Sequence, residues 1–510
     1  MPMRLRVTTR VRRPQPRTKT TIYYDGQCAM CTAIMSQVRA SEQHGEFQLR
    51  DMHADPAMPF DKAAVAREMH LVDAEGRVYR GAAAILEILG RYPRWAFVAG
   101  IGRSPMVRPL LPLGYAIVAA NRRFLFGPAS RIFWLKVTAL IAFCIGLAIS
   151  SPLWIGPRSY PPVPVWGGLP AIAHPLDYVL YGGLFALAAA ALFSPRPQKF
   201  IATFVAIVLV FCLGDQTRWQ PWVFLYSFML AGLALFSWRS EDRVGRQAAL
   251  NIARFIIAFT YVFSGLQKFN WRFVDVEFSV LTSPITDLVP AMAAPLHFVA
   301  MAAPVIQVGF GIGLLTRRFR RVSLVLAVAM HVFILSMLGP LGQNWNTIVW
   351  PWTAAMAVFD LLLFSGKDDF SAREIFRFER NWYHAAMLVL FGLLPLLSFG
   401  NRWDSYLSAA LYSGNLSEAW MYASDRGYES VPDGPRRFFR RTFDNTHELN
   451  FQQWAVEELN VPPYPEARLF MVIARDLCAG QRAPDQLVLI VREARLFGSR
   501  PESAYRCDQL

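Results

Sequence analysis

Cys28 and Cys31 are separated by two residues in the stretch Tyr23-Tyr24-Asp25-Gly26-Gln27-Cys28-Ala29-Met30-Cys31. Two thiols at that spacing on a helix share a face one turn apart, so one can attack a disulfide and the other can resolve the mixed disulfide that forms. Thr20 to Tyr24 predicts a strand, Asp25-Gly26 a turn and Ala29 to Ala40 a helix, which sets Cys28 at a helix N-terminus. The partial positive charge and free N–H groups of that terminus favour thiolate over thiol. Cys28 is therefore the expected nucleophile and Cys31 the resolving thiol. A zinc knuckle and a pair of inert structural cysteines are the alternatives. Zinc would need a second ligand pair, and His44 and His53 are badly spaced for one, so no metal is assigned.

The elements that must hold these thiols fall within residues 20–95. Strands are predicted over Phe47 to Met52, Met69 to Val72 and Arg77 to Arg80, the last after the turn Asp73-Ala74-Glu75-Gly76, and a closing helix over Ala82 to Leu89. That order predicts an α/β thioredoxin-like N-terminal domain. Residues 1–19 carry Arg4, Arg6, Arg10, Arg12, Arg13, Arg17 and Lys19 with no acid and no apolar run, and read as a disordered basic arm rather than a signal peptide. Residues 96–132 interleave Arg103, Arg108, Arg122, Arg123 and Arg131 with Leu, Tyr and Phe, the pattern of an amphipathic collar on the inner leaflet.

Of the 510 residues, 54% are hydrophobic and 17% charged, too apolar for an ordinary soluble chain. Residues 133–400 contain about nine stretches that approach the roughly 20 apolar residues a spanning helix needs. They run over 133–151, 176–194, 200–214, 221–238, 250–268, 291–316, 322–339, 345–364 and 384–400, predicting an all-α polytopic bundle. Alternate loops hold the cations: Arg196 and Lys199; Arg239, Arg243 and Arg246; Arg317, Arg318, Arg320 and Arg321; Lys367, Arg373, Arg377 and Arg380. The other loops hold only Arg158, Arg218, Arg272 and Lys268. This asymmetry predicts a bacterial inner-membrane protein with a cytoplasmic N-terminus and an extracytoplasmic, small and mostly helical domain over 401–510. The net charge of +15 is spread over arm, inner loops and tail, which suits anionic lipid headgroups and excludes a nucleic-acid face.

Polar clusters interrupt the apolar background near the outer face: Asp215, Gln216 and Arg218 with Trp219 and Trp222; Ser264 to Trp271, including Lys268; and Asn344 and Asn346 before Trp350 and Trp352. His331 lies near mid-membrane. These side chains are expected to line one polar cavity. Each also has a plainer reading: interfacial belt for the tryptophans, snorkelling for Lys268, an ion pair for Asp215 with Arg218, a helix–helix hydrogen bond for His331.

Two resemblances follow from these residues. The Tyr-Asp-Gly-x-Cys-x-x-Cys stretch, with the Asp73–Gly76 turn and Gly81-Ala82, resembles the DCC family of thiol-disulfide oxidoreductase-like domains over about residues 20–125 and implies disulfide exchange with protein thiols or disulfides. Thioredoxins and glutaredoxins place a proline before the third strand, whereas this chain reads Arg67-Glu68-Met69-His70. Over about 130–365, Ser264-Gly265-x-x-Lys268-Phe269 with Trp271, and the run 313–318 followed by Met330-His331, resemble the superfamily of vitamin K-dependent gamma-carboxylase, the horizontally transferred transmembrane domain and DoxX proteins. That resemblance implies Lys268 as a base, the remaining polar residues as ligand contacts, and a quinone as cofactor. Where it leads to an Asn-His pair, this chain has Asp215-Gln216, and a glutamine cannot shuttle a proton.

The other cysteines pair by predicted position. Cys144 and Cys212 lie at similar depth on two spans, either as isolated apolar residues or as a relay, and Cys478 and Cys507 would form a disulfide outside the cytoplasm. The expected function is membrane-bound thiol-disulfide oxidoreduction, with a quinone-like lipid beside Lys268. A carboxylase-like lipid-quinone enzyme and a non-catalytic membrane scaffold remain the alternatives.

Overall fold

Thr20–Tyr24 (β1) forms an interior strand of a four-stranded sheet ordered β2-β1-β3-β4, with β2 at Phe47–Asp51, β3 at His70–Val72 and β4 at Val78–Arg80. β1 runs parallel to β2 and antiparallel to β3, which pairs antiparallel with β4. The helices are α1 (Ala29–Ser41), α2 (Lys62–Arg67), α3 (Ala82–Gly90) and α4 (Pro93–Arg103). The structure is a computed structural model. It describes the chain except residues 1–18, 42–46, 56–57, 106, 110, 113–114, 116–129, 170–171, 195, 236–242, 366–369, 378–381, 444 and 482. The basic arm up to residue 18, much of the expected collar, His44, Arg239, Lys367 and Arg380 thus lie outside the described residues. The chain divides into two compact units, Met1–Trp134 and Leu135–Leu510.

Neighbouring residues of a strand face opposite sides of a sheet, and β1 uses both. Ile22 joins Met35 and Val38 of α1, Leu71, and Ala84 and Ile88 of α3 in one core. Tyr23 joins Met52, Val65 of α2 and Val72 in the other. Helices on both faces of a β1-α1-β2-α2-β3-β4-α3 order make this a thioredoxin-like domain. Ile22 and Leu71 are wholly buried, and truncating either to alanine is expected to cost about 2–5 kcal/mol. Six-residue α2, capped by the Asp61 side chain accepting from the Ala63 N–H, is an element that sequence periodicity does not predict.

The second unit is a membrane-spanning body. Among the described residues six helices are long and apolar enough to cross a membrane: Arg131–Ile149, Leu176–Phe193, Val244–Leu266, Pro290–Leu315, Arg320–Leu338 and Trp382–Gly400. Three shorter apolar helices, Gln198–Gly214, Pro221–Leu235 and Val349–Phe364, fall on the other three stretches that hydropathy marks. Phe298, Val305, Val325 and Val332 are exposed on these helices, which suits hydrocarbon rather than water. The helices Arg243–Leu266 and Ala293–Leu315 approach closely: a Cβ on Gly265 would come within 2.8 Å of Val308 Cγ2, and one on Gly311 within 3.1 Å of the Ala258 carbonyl.

The tail differs from the mostly helical expectation. Alongside the helices Phe451–Leu459 and Ala467–Cys478 it holds a five-stranded antiparallel sheet ordered β6-β7-β5-β8-β9. The strands are β5 (Glu418–Ala423), β6 (Arg440–Arg441), β7 (His447–Asn450), β8 (Leu487–Arg492) and β9 (Glu502–Arg506). Burial alternates along β5 and β8, so Ala419, Met421, Leu487, Leu489 and Val491 share a buried face with Leu469, Phe470 and Ile473 in the core. The tail bonds to loops at one end of the bundle. The Ser159 hydroxyl donates to Glu458 at 2.7 Å, Gln216 Nε2 to Glu466 at 3.1 Å, Gln220 Nε2 to the Pro462 carbonyl at 3.0 Å and Asn270 Nδ2 to the Ser413 carbonyl at 2.8 Å. Arg196, Lys199, Arg317, Arg318 and Arg321 sit at the opposite ends of the same helices.

Candidate functional site

The first candidate site is the turn that carries β1 into α1. The Cys28 N–H donates to the Asp25 carbonyl at 3.1 Å, and the Cys28 carbonyl accepts from the Thr32 N–H at 3.0 Å and the Thr32 hydroxyl at 2.9 Å. Cys28 immediately precedes the first helical residue, and the first turn of α1 contains no acid to offset the helix dipole. Asp51, at the end of β2, pins the turn. Its Oδ1 accepts from the Gly26 N–H at 2.9 Å and from the His53 N–H at 3.0 Å. Asp25 Oδ1 accepts from the Gln27 N–H and from His53 Nε2, each at 3.0 Å. His53, set aside as a metal ligand in the sequence, is thus part of the turn's frame. Among the described residues no group of three His, Cys, Asp or Glu side chains is placed to hold a metal.

Exposure differs between the thiols. Cys28 is 7% exposed and Cys31 is half-buried, so a bulky disulfide reaches Cys31 more easily in this conformation. Before β3, where thioredoxins carry their proline, Glu68 is extended and the Met69 N–H donates to the Tyr115 hydroxyl at 3.0 Å. The Met69 carbonyl accepts from the Gly81 N–H at 3.0 Å. The chain therefore uses its own tyrosine to satisfy that edge.

The second candidate site is a cavity of about 430 Å³ in the membrane-spanning unit. Its wall is chiefly apolar, with Phe278, Phe310, Met330 and Phe333 among its lining, and its polar contributors include Lys268, Ser264, Glu277, Gln307, Tyr261 and His331. Lys268 follows the last turn of the helix Arg243–Leu266. Its Nζ donates to the Ser264 hydroxyl at 2.6 Å and to the Ser264 carbonyl at 3.0 Å, and lies 5.7 Å from the centre of the Phe273 ring. Volume and lining suit an apolar molecule with one or two polar atoms.

Lys268 and His331 line this cavity, but the remaining residues of the expected polar pocket are elsewhere. Asp215 is fully buried against Arg158 at 2.5 Å, and its Oδ1 accepts from the Val163 and Thr217 N–H groups. Arg218 donates to the carbonyls of Leu153, Phe211 and Trp154. Gln216 joins Glu466 and Arg468 of the tail. Trp271 is 72% exposed and Asn344 is exposed in a left-handed turn, while Asn346 donates to the Tyr412 hydroxyl. The physical reason is that Asp215, Gln216, Arg218 and Asn346 are consumed in joining loops to one another and to the tail, while Trp271 and Asn344 stay exposed.

Tyr261 and His331 of the cavity wall belong to a hydrogen-bonded chain that the sequence reading passes over. The Tyr261 hydroxyl donates to Asp360 Oδ2 at 2.7 Å and lies 2.7 Å from His331 Nε2. A single acid inside the apolar helix Val349–Phe364 is the signal that points to Asp360. Cys144 is half-buried and Cys212 buried on their helices, and Cys478 is bonded to Cys507 in the tail.

No curated protein and no solved structure matches the chain. The turn, the sheet and the two thiols lie in a segment with a family match: residues 22–128 match the family model of the DCC1-like thiol-disulfide oxidoreductases, which supports a thiol-disulfide oxidoreductase role for this membrane protein's N-terminal unit.

Proposed function

We propose that the chain is a membrane-bound protein-disulfide oxidoreductase whose attacking group is Cys28. The Cys28 thiolate attacks one sulfur of a partner disulfide, forming a mixed disulfide and expelling the partner's other sulfur as thiolate. The Cys31 thiolate then attacks the Cys28 sulfur, releasing the partner's second thiol and leaving a Cys28–Cys31 disulfide. The partner is reduced by two electrons and the cysteine pair oxidised by two. The observation that carries this reading is the seat of Cys28 at the start of α1, within a stretch that matches a thiol-disulfide oxidoreductase family.

The same reading places residues 20–95 and the collar 96–132 in the cytoplasm, 133–400 in the membrane as nine spans, and 401–510 outside. It also seats a quinone-like lipid beside Lys268, supported by the apolar cavity that Lys268 lines. A second reading, a carboxylase-like enzyme with Lys268 as the base, draws on the same cavity.

The test is trapping. Full-length protein in detergent is mixed with a disulfide-bonded model protein, quenched by alkylation and resolved without reductant. Cys31→Ser should accumulate a mixed disulfide and Cys28→Ser should form none. The reverse pattern would assign the attack to the more exposed Cys31, and no adduct with either variant would overturn the oxidoreductase reading.

A further inference from the structure

A second, smaller chamber of about 170 Å³ adjoins the apolar cavity. Glu277, Leu281, Leu338, Tyr406, Leu411 and Tyr412 line both. The tail supplies most of the smaller wall, which is why polar side chains enter it. Three aromatic rings, Trp345, Tyr406 and Tyr412, and two carboxylates, Glu277 and Glu418, line the smaller chamber, and among the described residues no lysine or arginine does.

The two carboxylates are not alike. Glu418 is answered from outside the chamber, by Arg272 Nη2 at 2.5 Å and Arg500 Nη1 at 3.0 Å. Glu277 accepts no hydrogen bond among the described residues, and Arg272 Nε stands off at 3.9 Å. Its side chain is 28% exposed, so a molecule in the chamber can reach it. A carboxylate in a partly dry wall is stabilised by a cation that can approach it. The tail loop beside it is held in an unusual conformation. Ala409 and Tyr412 adopt φ of 54° and 56°, which L side chains rarely do, and the Tyr412 hydroxyl accepts from Asn346. Such backbone strain gathers where a loop is fixed around a ligand.

We propose that the smaller chamber binds an alkylammonium group, with Glu277 as its counter-charge and the three rings as its walls. The faces of tryptophan and tyrosine attract an organic cation, and the attraction adds to that of the carboxylate. An anion would meet two carboxylates and no lining cation, and a neutral group would leave Glu277 unanswered. Lys268 lines only the larger cavity, with its Nζ bonded to Ser264, so its charge lies beyond the shared wall. The volume is below that of a site for a drug-sized molecule and suits one trimethylammonium or aminoethyl group. Such a group comes either as the head of an amphiphile whose chain occupies the neighbouring apolar cavity or as a free organic cation. The inference does not depend on what the larger cavity otherwise holds.

Choline and its neutral isostere dimethylbutanol test this, because they share one shape and only choline carries the charge. In equilibrium dialysis, full-length protein in an uncharged maltoside detergent should bind choline at least about tenfold more tightly than dimethylbutanol. Glu277→Gln should remove that preference without weakening dimethylbutanol, and Trp345→Leu should weaken choline more than dimethylbutanol. A retained Cys478–Cys507 link and an unchanged thermal midpoint serve as folding controls. Hexyltrimethylammonium separates the two sources. Binding at least about tenfold tighter than choline assigns the ammonium to an amphiphile with its chain in the larger cavity, and equal binding assigns it to a free cation. Equal affinities for choline and dimethylbutanol in wild-type protein, no binding of choline, or a preference that survives Glu277→Gln overturns the proposal.

Discussion

The carboxylate of Asp51 occupies the space where a side chain on residue 26 would stand, while its Oδ1 accepts the Gly26 N–H at 2.9 Å. A β-carbon added there would overlap the carboxyl group, so the turn that presents Cys28 depends on glycine at this position. Gly26→Ala is expected to destabilise the N-terminal unit by about 1–3 kcal/mol, as overpacking does, and to slow disulfide exchange. In Gly26→Ala/Asp51→Ala the loss should be smaller than the sum of the single effects, since the second change removes the obstacle. Additive losses in denaturation would show that the contact does not matter.

His70 gives the N-terminal unit an acid sensitivity. It is wholly buried in β3, its Nδ1–H donates to the Glu68 carbonyl at 2.9 Å, and its ring lies 4.6 Å from that of Phe60. Burial pushes the imidazole below its usual value, so the folded state excludes a proton that the unfolded chain accepts. Stability is therefore full well above the unfolded value of about 6.5 and declines as pH falls through it, by at most about 1.4 kcal/mol per pH unit from this group. Pulse proteolysis of the full chain between about pH 7 and about pH 5 should show this slope, and His70→Phe should flatten it. An unchanged slope would assign the acid sensitivity to other groups.

Lys268 separates the roles open to the membrane-spanning unit. Arginine keeps the charge but stays protonated, so it cannot act as a base. Lys268→Ala and Lys268→Arg should both lose at least about tenfold in turnover of an added quinol, while expression and Cys28 alkylation are retained. Arginine performing as well as lysine would make the residue an interfacial anchor.

The bond between Cys478 and Cys507 closes a segment with a sequence separation of 29. By the chain-entropy relation its loss, through Cys507→Ser, should destabilise the tail by about 3–4 kcal/mol. Non-reducing peptide mapping of protein alkylated in intact cells should recover the linked peptides, and a reporter active only outside the cytoplasm should report when fused after residue 430. A reduced pair and a silent reporter would turn the proposed orientation over.

What the sequence revealed was local. Thr20 to Tyr24, the Asp25-Gly26 turn and the helix that follows were legible because composition and turn chemistry act within a few residues. The short α2 was not, since six residues hold too little periodicity. The tail sheet escaped for a different reason. Leu487 to Val491 is continuously apolar and does not distinguish strand from helix, β6 consists of two arginines, and β5 alternates on small alanines that carry little signal. At the cavity, Lys268 and His331 stood out as polar residues in apolar surroundings, whereas Tyr261 reads as an ordinary aromatic until Asp360 is seen beside it. Asp215, Gln216 and Arg218 carried the same signal as Lys268, and only the loop and tail contacts show that their hydrogen bonds are already used.

Those tail contacts bear on how the protein is made. Glu458, which accepts from the Ser159 and Tyr160 N–H groups, and Glu466, which accepts from Gln216, are synthesised some three hundred and two hundred and fifty residues after their partners. The helices from residue 131 onward can enter the bilayer in order as they emerge, but their tail-side loops wait for groups that leave the ribosome later than all of them. Insertion and completion are thus separate events in the life of one chain. Premature termination near residue 400 would deliver an inserted bundle with its loop polar groups unanswered, a form that membrane quality control can recognise.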